Sequence, residues 1–386
     1  MQRHCRRGAL LTSSVQVPAR AIPMFDISPV LERARNRTSV NLAAMHAASR
    51  FILGDQARSF EEELAVSFGG DFAVGTGSGT AALELCLREA GVVRPQQEVI
   101  VPAFTSLFTA QAVLASGASL RLADVDPDSL LLTPESLERA WTPATAAVVC
   151  VHLYGHACRV DEIAELCRRR GATLIQDACQ AHGLRYKGRP LTAFSSHTAY
   201  SFYPTKNLGC LGDGGAVVTN SRRVARRIRL LRDGGRDGDQ VARAPGINSR
   251  LDEIHACYLR GFLPDLHGWT EHRRRIASHY EHNLRDCRAV RFVPFDAEAV
   301  HHLFVIRIGE RDRLGRHLRS QGIEFGIHYP YPLHRQPAFR RRATWAKPPV
   351  HAETACREVL SLPIGPHVDE DAVEQVCTVV RNWSPC

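Results

Sequence analysis

The stretch "TAYSFYPTKNLGCLGDGGAVVT", Thr198 to Thr219, decides the fold. Its two ends, "TAYSF" and "GAVVT", are short apolar runs of strand composition. Between them stands one lysine, Lys206, followed by a tail of Gly, Asn and Asp with little side-chain bulk. Glycine loops usually serve close approach of backbone to a ligand. A lysine in such a loop reads as a surface residue, a phosphate clamp or a nucleophile. The surrounding sequence separates these readings.

Outward from this stretch, short apolar runs alternate with amphipathic helical patterns. "DFAV" from Asp71, "EVIV" from Glu98, "SLRLADV" from Ser119, "AAVVCVHLY" from Ala146 and "ATLIQD" from Ala172 read as further strands. "TAALELCLREAG", "PESLERAW" and "DEIAELCRRRG" read as the helices between them. Such alternation predicts an α/β architecture, a mainly parallel seven-stranded sheet flanked by helices. The strands are apolar almost throughout, as burial on both faces requires. From Asn248 to Leu284 the pattern becomes long helices broken near Pro264. Beyond them "AVHHLFVIRI", "RDRLGRHLRSQG" and "DEDAVEQVCTVVRNW" form a smaller α+β unit. The division expected is a basic extension without fixed structure over 1–22 and an N-terminal segment over 23–64 packing on the small domain. A large cofactor-binding domain follows over 65–265, then a linking helix and small domain over 266–386.

A chain of 386 residues is long for one core, which agrees with two domains. No apolar run approaches the ~20 residues that span a bilayer, so no membrane partner is expected. The net charge of +9 raises nucleic acid as a partner. The densest basic run, "SRRVARRIRLLRDGGR" from Ser221, reads instead as a solvated helix face: Ser221 caps it, and Val224, Ile228 and Leu231 make its apolar stripe. No aromatics interleave with these arginines, so no nucleic-acid stacking surface is indicated. Among twelve cysteines no pair has CxxC spacing. Cys86, Cys150, Cys167 and Cys179 read as small buried hydrophobes, no metal site is expected, and the natural home is a reducing cytoplasm.

Ligands of open α/β sheets bind beyond the carboxyl ends of the strands. Three clusters fall there. In "AVGTGSGTAALEL" the glycines 75, 77 and 79 open a helix, and its first amides with the hydroxyls of Ser78 and Thr80 would hold a phosphate. A dinucleotide would want an acid closing the next strand, but Glu98 precedes "VIV". In "LIQDACQAHG" Asp177 ends a strand, with Gln180 and His182 close behind. The third cluster is Ser201 and Lys206. Pyridoxal phosphate needs all three: a lysine to bond its aldehyde, an acid to keep its pyridine nitrogen protonated, and a phosphate cradle. A lysine desolvated among small residues is a usable nucleophile.

The chain also resembles the DegT/StrS-type pyridoxal-phosphate-dependent sugar aminotransferases of the aspartate-aminotransferase fold, fold type I, over roughly residues 23–385. The resemblance rests on "FILGDQARSFEEELA", "GSGTAALELCL", "VIVPAFT", "VHLYGH", "IQDACQAHG", "SFYPTKNLGCLGDGGAVVTN", "HYPYPLH" and "LSLPIGP". It implies that Lys206 bonds the cofactor and then carries protons, that Asp177 pairs with the pyridine nitrogen, and that Gln180 lies against the ring. It gives the phosphate to Ser201, Gly79 and Thr80, completed by Asn248 or Arg250 from a second subunit of a homodimer. His328, Tyr329 and His156 would face the substrate.

The family stacks an aromatic on the cofactor at the position that is Ser106 here, leaving Phe108 or Phe104 as substitutes, and often has glutamine where His156 stands. The function implied is transfer of an amino group from glutamate or glutamine to a keto-sugar, nucleotide-linked, or to a cyclitol ketone. Rival readings are keto-sugar dehydration, where the family replaces the lysine by histidine, a non-catalytic regulatory protein, and a Rossmann-type oxidoreductase or methyltransferase.

Overall fold

The computed structural model describes residues 21–238 and 240–383. Nearly all of the basic extension lies outside them. The strands are β1 (Phe72–Thr76), β2 (Glu98–Pro102), β3 (Ser119–Ala123), β4 (Thr145–Val151), β5 (Thr173–Asp177), a small hairpin of β6 (Arg185–Tyr186) and β7 (Arg189–Pro190), β8 (Thr198–Ser201), β9 (Gly215–Thr219), β10 (Arg291–Phe292), β11 (Phe304–Arg307), β12 (Ala343–Trp345) and β13 (Val359–Leu362). The helices are α1 (Ser28–Ala48), α2 (Asp55–Ser67), α3 (Gly79–Glu89), α4 (Leu107–Ser116), α5 (Pro134–Ala140), α6 (Val160–Arg170), α7 (Arg222–Arg232), α8 (Glu253–Phe262), α9 (Leu266–Leu284), α10 (Arg311–Ser320), α11 (Val350–Glu358) and α12 (Glu370–Asn382).

All seven strands expected for the large sheet form, in the order β1-β9-β8-β5-β4-β2-β3. The sheet has an eighth. β12 adds in parallel to β3, with Ala343 opposite Leu120 and Trp345 opposite Leu122. It comes from the C-terminal part of the chain, and three residues pairing across such a sequence distance leave no local periodicity to read. β9 alone runs against its neighbours, pairing antiparallel with both β8 and β1. Residues 202–214, which join β8 to β9, contain no helix. Without a crossover helix the chain can only return antiparallel. This return carries Lys206 at the carboxyl end of β8.

The return loop is tied down along its length. The Lys206 amide donates to the Tyr203 carbonyl (2.9 Å), and Cys210 donates to Phe202 (2.8 Å). A Cβ at Gly209 would lie 2.6 Å from the Pro204 carbonyl oxygen, so only glycine lets the loop close on itself. Asn207 Nδ2 donates to the Val300 carbonyl (2.8 Å), which ties the loop to a segment nearly a hundred residues away.

Two apolar cores result. The larger surrounds the sheet and includes Val99, Ile100, Val148, Ile175, Val217 and Leu87. The smaller gathers Ile276 and Tyr280 of α9, Phe304 and Ile306 of β11, Leu360 of β13 and Val376 of α12. The N-terminal segment read as packing on the small domain meets it at its start. Its Met24 amide donates to Glu324 (2.8 Å), and just before it Ile22, the last residue of the extension expected to lack fixed structure, is buried in the smaller core and pairs with Ile323. α1 lies along α8 instead, where Arg37 and Asn41 donate to the carbonyls of Gly261 and Cys257. α2 sinks Phe60 and Leu64 into the larger core.

α7 follows its sequence pattern. The Ser221 hydroxyl accepts from the Val224 amide, and Val224, Ile228 and Leu231 are buried. Cys86, Cys150 and Cys167 are buried, but Cys179 is only half-buried, because it lies beside the pocket described below. Among the described residues no helix is long and apolar enough to cross a membrane.

α2 is capped in trans. Gly54 offers no capping side chain, so the Glu253 carboxylate of α8 accepts from the amides of Gly54 (2.8 Å), Gln56 (2.9 Å) and Ala57 (2.9 Å). These are first-turn donors with no intrahelical partner. Glu253→Ala should therefore cost about 2–4 kcal/mol in unfolding by denaturant, since three buried amides lose a charged acceptor. Removing the exposed Arg35–Glu32 pair should cost under about 0.5 kcal/mol. Equal losses from the two changes would contradict the capping role.

Candidate active site

The carboxyl ends of β5 and β8 bring the predicted residues together. Asp177 closes β5 and is buried. Its Oδ2 accepts from the Thr109 hydroxyl of α4 (2.8 Å) and its Oδ1 from the Cys179 amide (3.2 Å). The two bonds fix the plane of the carboxylate. Thr109 was not among the residues singled out from sequence. The signal available was a hydroxyl in the first turn of the helix that follows a strand, in "FTSLFT", which fixes no partner.

The Lys206 amine lies within electrostatic reach of this carboxylate. Burial pushes it below the ordinary lysine value of 10.5, and the Cys179 and Asp177 side chains act in the opposite sense. Its Nζ lies 3.4 Å from His302 Nε2, a second contact that the sequence reading did not contain. "AVHHLFVIRI" reads as a strand, and nothing in the stretch marks either histidine.

The cradle forms at the start of α3. The Ser78 hydroxyl caps the helix by accepting from Ala81 (3.1 Å). The amides of Gly79 and Thr80, in the first turn, have no intrahelical acceptor. A Cβ at Gly79 would stand 2.6 Å from Ser201 Cβ and 2.8 Å from Cys179 Sγ. The helix start thus presses directly against the ends of β8 and β5. The half-buried Ser201 side chain is at the same point. His182 Nε2–H donates to the Ser201 carbonyl (2.7 Å), and burial drops that imidazole to about 3, so it stays neutral beneath the loop.

Gln180 and Tyr329 wall the site. Gln180 Nε2 donates to the Tyr329 hydroxyl (2.9 Å), and its Oε1 accepts from the Tyr154 amide (2.7 Å). Burial raises the Tyr329 phenol to about 12, while hydrogen bonds from Ser106 and Gln180 act against that rise. His328 joins Tyr329 through a cis peptide, its carbonyl accepts from the Tyr154 hydroxyl, and its Nδ1 meets the Ser361 hydroxyl at 2.9 Å. Burial, then the nearby Lys206 charge, lower His328 to about 4.

Other residues singled out lie farther from this group. Phe108 is 58% exposed, and Phe104 is buried edge-on to Tyr329 with ring centres 6.4 Å apart. In place of a stacked aromatic at Ser106, the structure sets the Tyr329 hydroxyl beside the serine. His156 is buried among Tyr154, Phe295 and His301, and neither ring nitrogen has a hydrogen-bond partner among the described residues. Burial lowers it to about 4. Asn248 is exposed, and Arg250 is held by Asp233 of its own chain (2.7 Å).

A fixed carboxylate, a depressed amine and a helix start with free amides fit pyridoxal phosphate, and with this sheet they define a fold type I enzyme of that cofactor. The match to known proteins makes the class specific. Residues 33–381 match the DegT/DnrJ/EryC1/StrS aminotransferase family. The dTDP-3-amino-3,4,6-trideoxy-alpha-D-glucose transaminase of Streptomyces venezuelae is 40% identical over 97% of this chain and 98% of its own. The UDP-N-acetyl-3-dehydro-alpha-D-glucosamine 3-aminotransferase of Acidithiobacillus ferrooxidans is 38% identical over 94% and 98%. The crystal structure of S. venezuelae DesV in complex with a ketimine intermediate superposes with a TM-score of 0.90, at 40% identity, covering 94% of this chain and 98% of that one. The chain belongs to this aminotransferase family.

Two outcomes follow for the site. Thr109→Val removes a donor to a buried charge and should weaken pyridoxal phosphate binding by about 10-fold or more in an absorbance titration. Unchanged affinity would show that Asp177 needs no such support. The free Lys206 amine should titrate below 10.5. Below its depressed value it is an inert ammonium, and above it a nucleophile. The rate at which apoenzyme captures the cofactor should therefore rise with pH and level off before 10.5. A rise that continues past 10.5 would mean an exposed amine.

Proposed function

We infer that the protein moves an amino group from glutamate or glutamine to the ketone of a nucleotide-linked sugar, in two alternating half-reactions on one site. The observation that carries this is the placing of the desolvated Lys206 amine within electrostatic reach of the Asp177 carboxylate, at adjacent strand ends. The two related transaminases named above, with dTDP- and UDP-linked compounds in their names, support the nucleotide-linked acceptor.

Bound pyridoxal phosphate supplies an electron sink for the substrate carbon that carries nitrogen. The residues of the chain do the rest. Asp177, fixed by Thr109 and the Cys179 amide, holds negative charge at one end of the pocket and so keeps a proton on a ring nitrogen opposite it. The amides of Gly79 and Thr80 with the Ser78, Thr80 and Ser201 side chains would receive the phosphate. Gln180, its orientation set by bonds to Tyr154 and Tyr329, would lie against the ring. Lys206 Nζ, its proton loosened by desolvation, takes and returns protons. His328 and Tyr329 face the sugar. For His156, buried with both nitrogens unpaired, a water or substrate group is the partner that would satisfy it.

The active unit is a homodimer with shared sites. Phe51, Ile52, Phe108, Tyr203, Leu211 and Ile254 are exposed, on segments around the cradle and the Lys206 loop. Asn248, exposed beside them, and Arg250 are the side chains that would reach the partner's phosphate.

Purified holoenzyme should be yellow, with an absorbance band in the near-ultraviolet to blue that glutamate or glutamine shifts and a nucleotide-linked keto-sugar restores. Lys206→Ala should lack the original band. A band that never responds to either donor would refute transamination from them. Mixtures of Lys206→Ala and Arg250→Ala chains, refolded together, should regain about a quarter of native activity although neither works alone, because one site in each mixed dimer is intact. No regain would mean that Arg250 serves its own chain.

A further inference from the structure

The Lys206 loop is laced to one segment of the second core. Asn207 Nδ2 donates to the Val300 carbonyl (2.8 Å), and Lys206 Nζ meets His302 Nε2 (3.4 Å). Adjacent residues of the loop therefore grip alternate residues of the segment.

The segment is held in a conformation it would not choose alone. His301 has φ of 42°, in the left-handed region that disfavours a side chain with a Cβ. The strain is held by a buried cation. Arg273 Nη1 donates to the carbonyls of His301 (3.1 Å), His302 (3.3 Å) and Ile364 (3.1 Å). Those acceptors are all backbone oxygens, so this guanidinium, 5% exposed, gathers chain segments. From the other side the His302 amide donates to the Tyr154 carbonyl (2.8 Å). A strained residue persists only where its surroundings over-determine it, and such places cluster at functional sites.

We propose that His302 is a positioning residue for Lys206: its Nε2 accepts a hydrogen bond from the lysine amine whenever that amine is not bonded to cofactor. The bond holds Nζ at one place while substrate occupies the cofactor, so that a proton taken at one carbon is returned from the same position. This rests on the reading of Lys206 as the cofactor-bonding amine.

The surroundings keep the imidazole able to accept. Burial pushes His302 well below its ordinary value, and the Lys206, Arg273, His328 and His182 side chains facing it push the same way. A neutral ring has one nitrogen with a free lone pair. Lys206 itself faces Cys179 and Asp177, which favour its charged form against burial. An acceptor at His302 adds to that side of the balance, because a hydrogen bond accepted from the ammonium favours the ammonium. Removing the acceptor should move the amine to a lower value still.

The test is the pH profile of pyridoxal phosphate capture by apoenzyme, followed by absorbance, in the native chain, His302→Phe and His302→Gln. Phenylalanine keeps the ring volume and removes the acceptor. Glutamine brings an amide oxygen near the Nε2 position. The midpoint should fall by about one pH unit in the phenylalanine variant and return most of the way in the glutamine variant. The single-turnover proton transfer with glutamate should slow about 10–100-fold with phenylalanine and recover with glutamine.

A residue that only supports the fold would weaken capture without moving its midpoint, so a native midpoint in the phenylalanine variant overturns the proposal. If that variant fails to fold by circular dichroism, His302→Asn replaces it. Its shorter amide cannot reach the amine, so asparagine should shift the midpoint where glutamine does not, and equal behaviour of the two overturns the proposal. Failure of the native chain to capture the cofactor at all would instead refute the role of Lys206.

Discussion

An amine taken out of water holds its proton less firmly, and a negative charge nearby restores part of that hold. The site is organised around this opposition. Lys206 is lowered by burial and supported by Asp177. The sheet makes the distance between them a matter of strand pairing. β5 and β8 are parallel neighbours, with Asp177 opposite Ala199. The carboxylate therefore leaves one strand, and the lysine loop the next, at the same edge. The antiparallel return into β9 turns what would be a crossover helix into a short loop.

The second body supplies what the sheet cannot. Gln180 reaches Tyr329, Lys206 reaches His302, and Asn207 reaches Val300. The pocket is therefore closed by residues far apart in the chain but joined by direct hydrogen bonds. Neutral histidines recur along this seam, His182 and His302 buried and His328 half-buried. His182, His302 and His328 are all depressed by burial and by the lysine among them. Four basic groups close together can be tolerated because only one of them need carry charge.

Much of this was legible in the sequence because the deciding signals are local. Each of the seven expected strands is a short, mostly apolar run, and Asp177, Lys206 and Gly79 sit at or just beyond the ends of such runs, where a parallel sheet puts its ligands. What escaped depends on contact across the fold. Thr109 is one hydroxyl among several after β2, and only the folded sheet brings it to Asp177. His302 reads as part of a strand, and its meeting with Lys206 spans 96 residues. β12 is too short to show a period at all. The departure at Ser106 was visible, but its surroundings were not: the Tyr329 hydroxyl lies beside the serine, and Phe108 stays exposed.

β12 has a mechanical meaning. The polypeptide that supplies His328 and Tyr329 passes on to Leu333, whose amide donates to the Ala103 carbonyl (3.0 Å), and then stitches itself to the rim of the large sheet as β12. That wall of the pocket is thereby fastened to the opposite body at two points. A clamshell motion would have to peel a strand from the sheet before it could admit a bulky sugar. Entry is left to side chains and loop tips at the mouth, and the cavity behind them keeps its shape between turnovers.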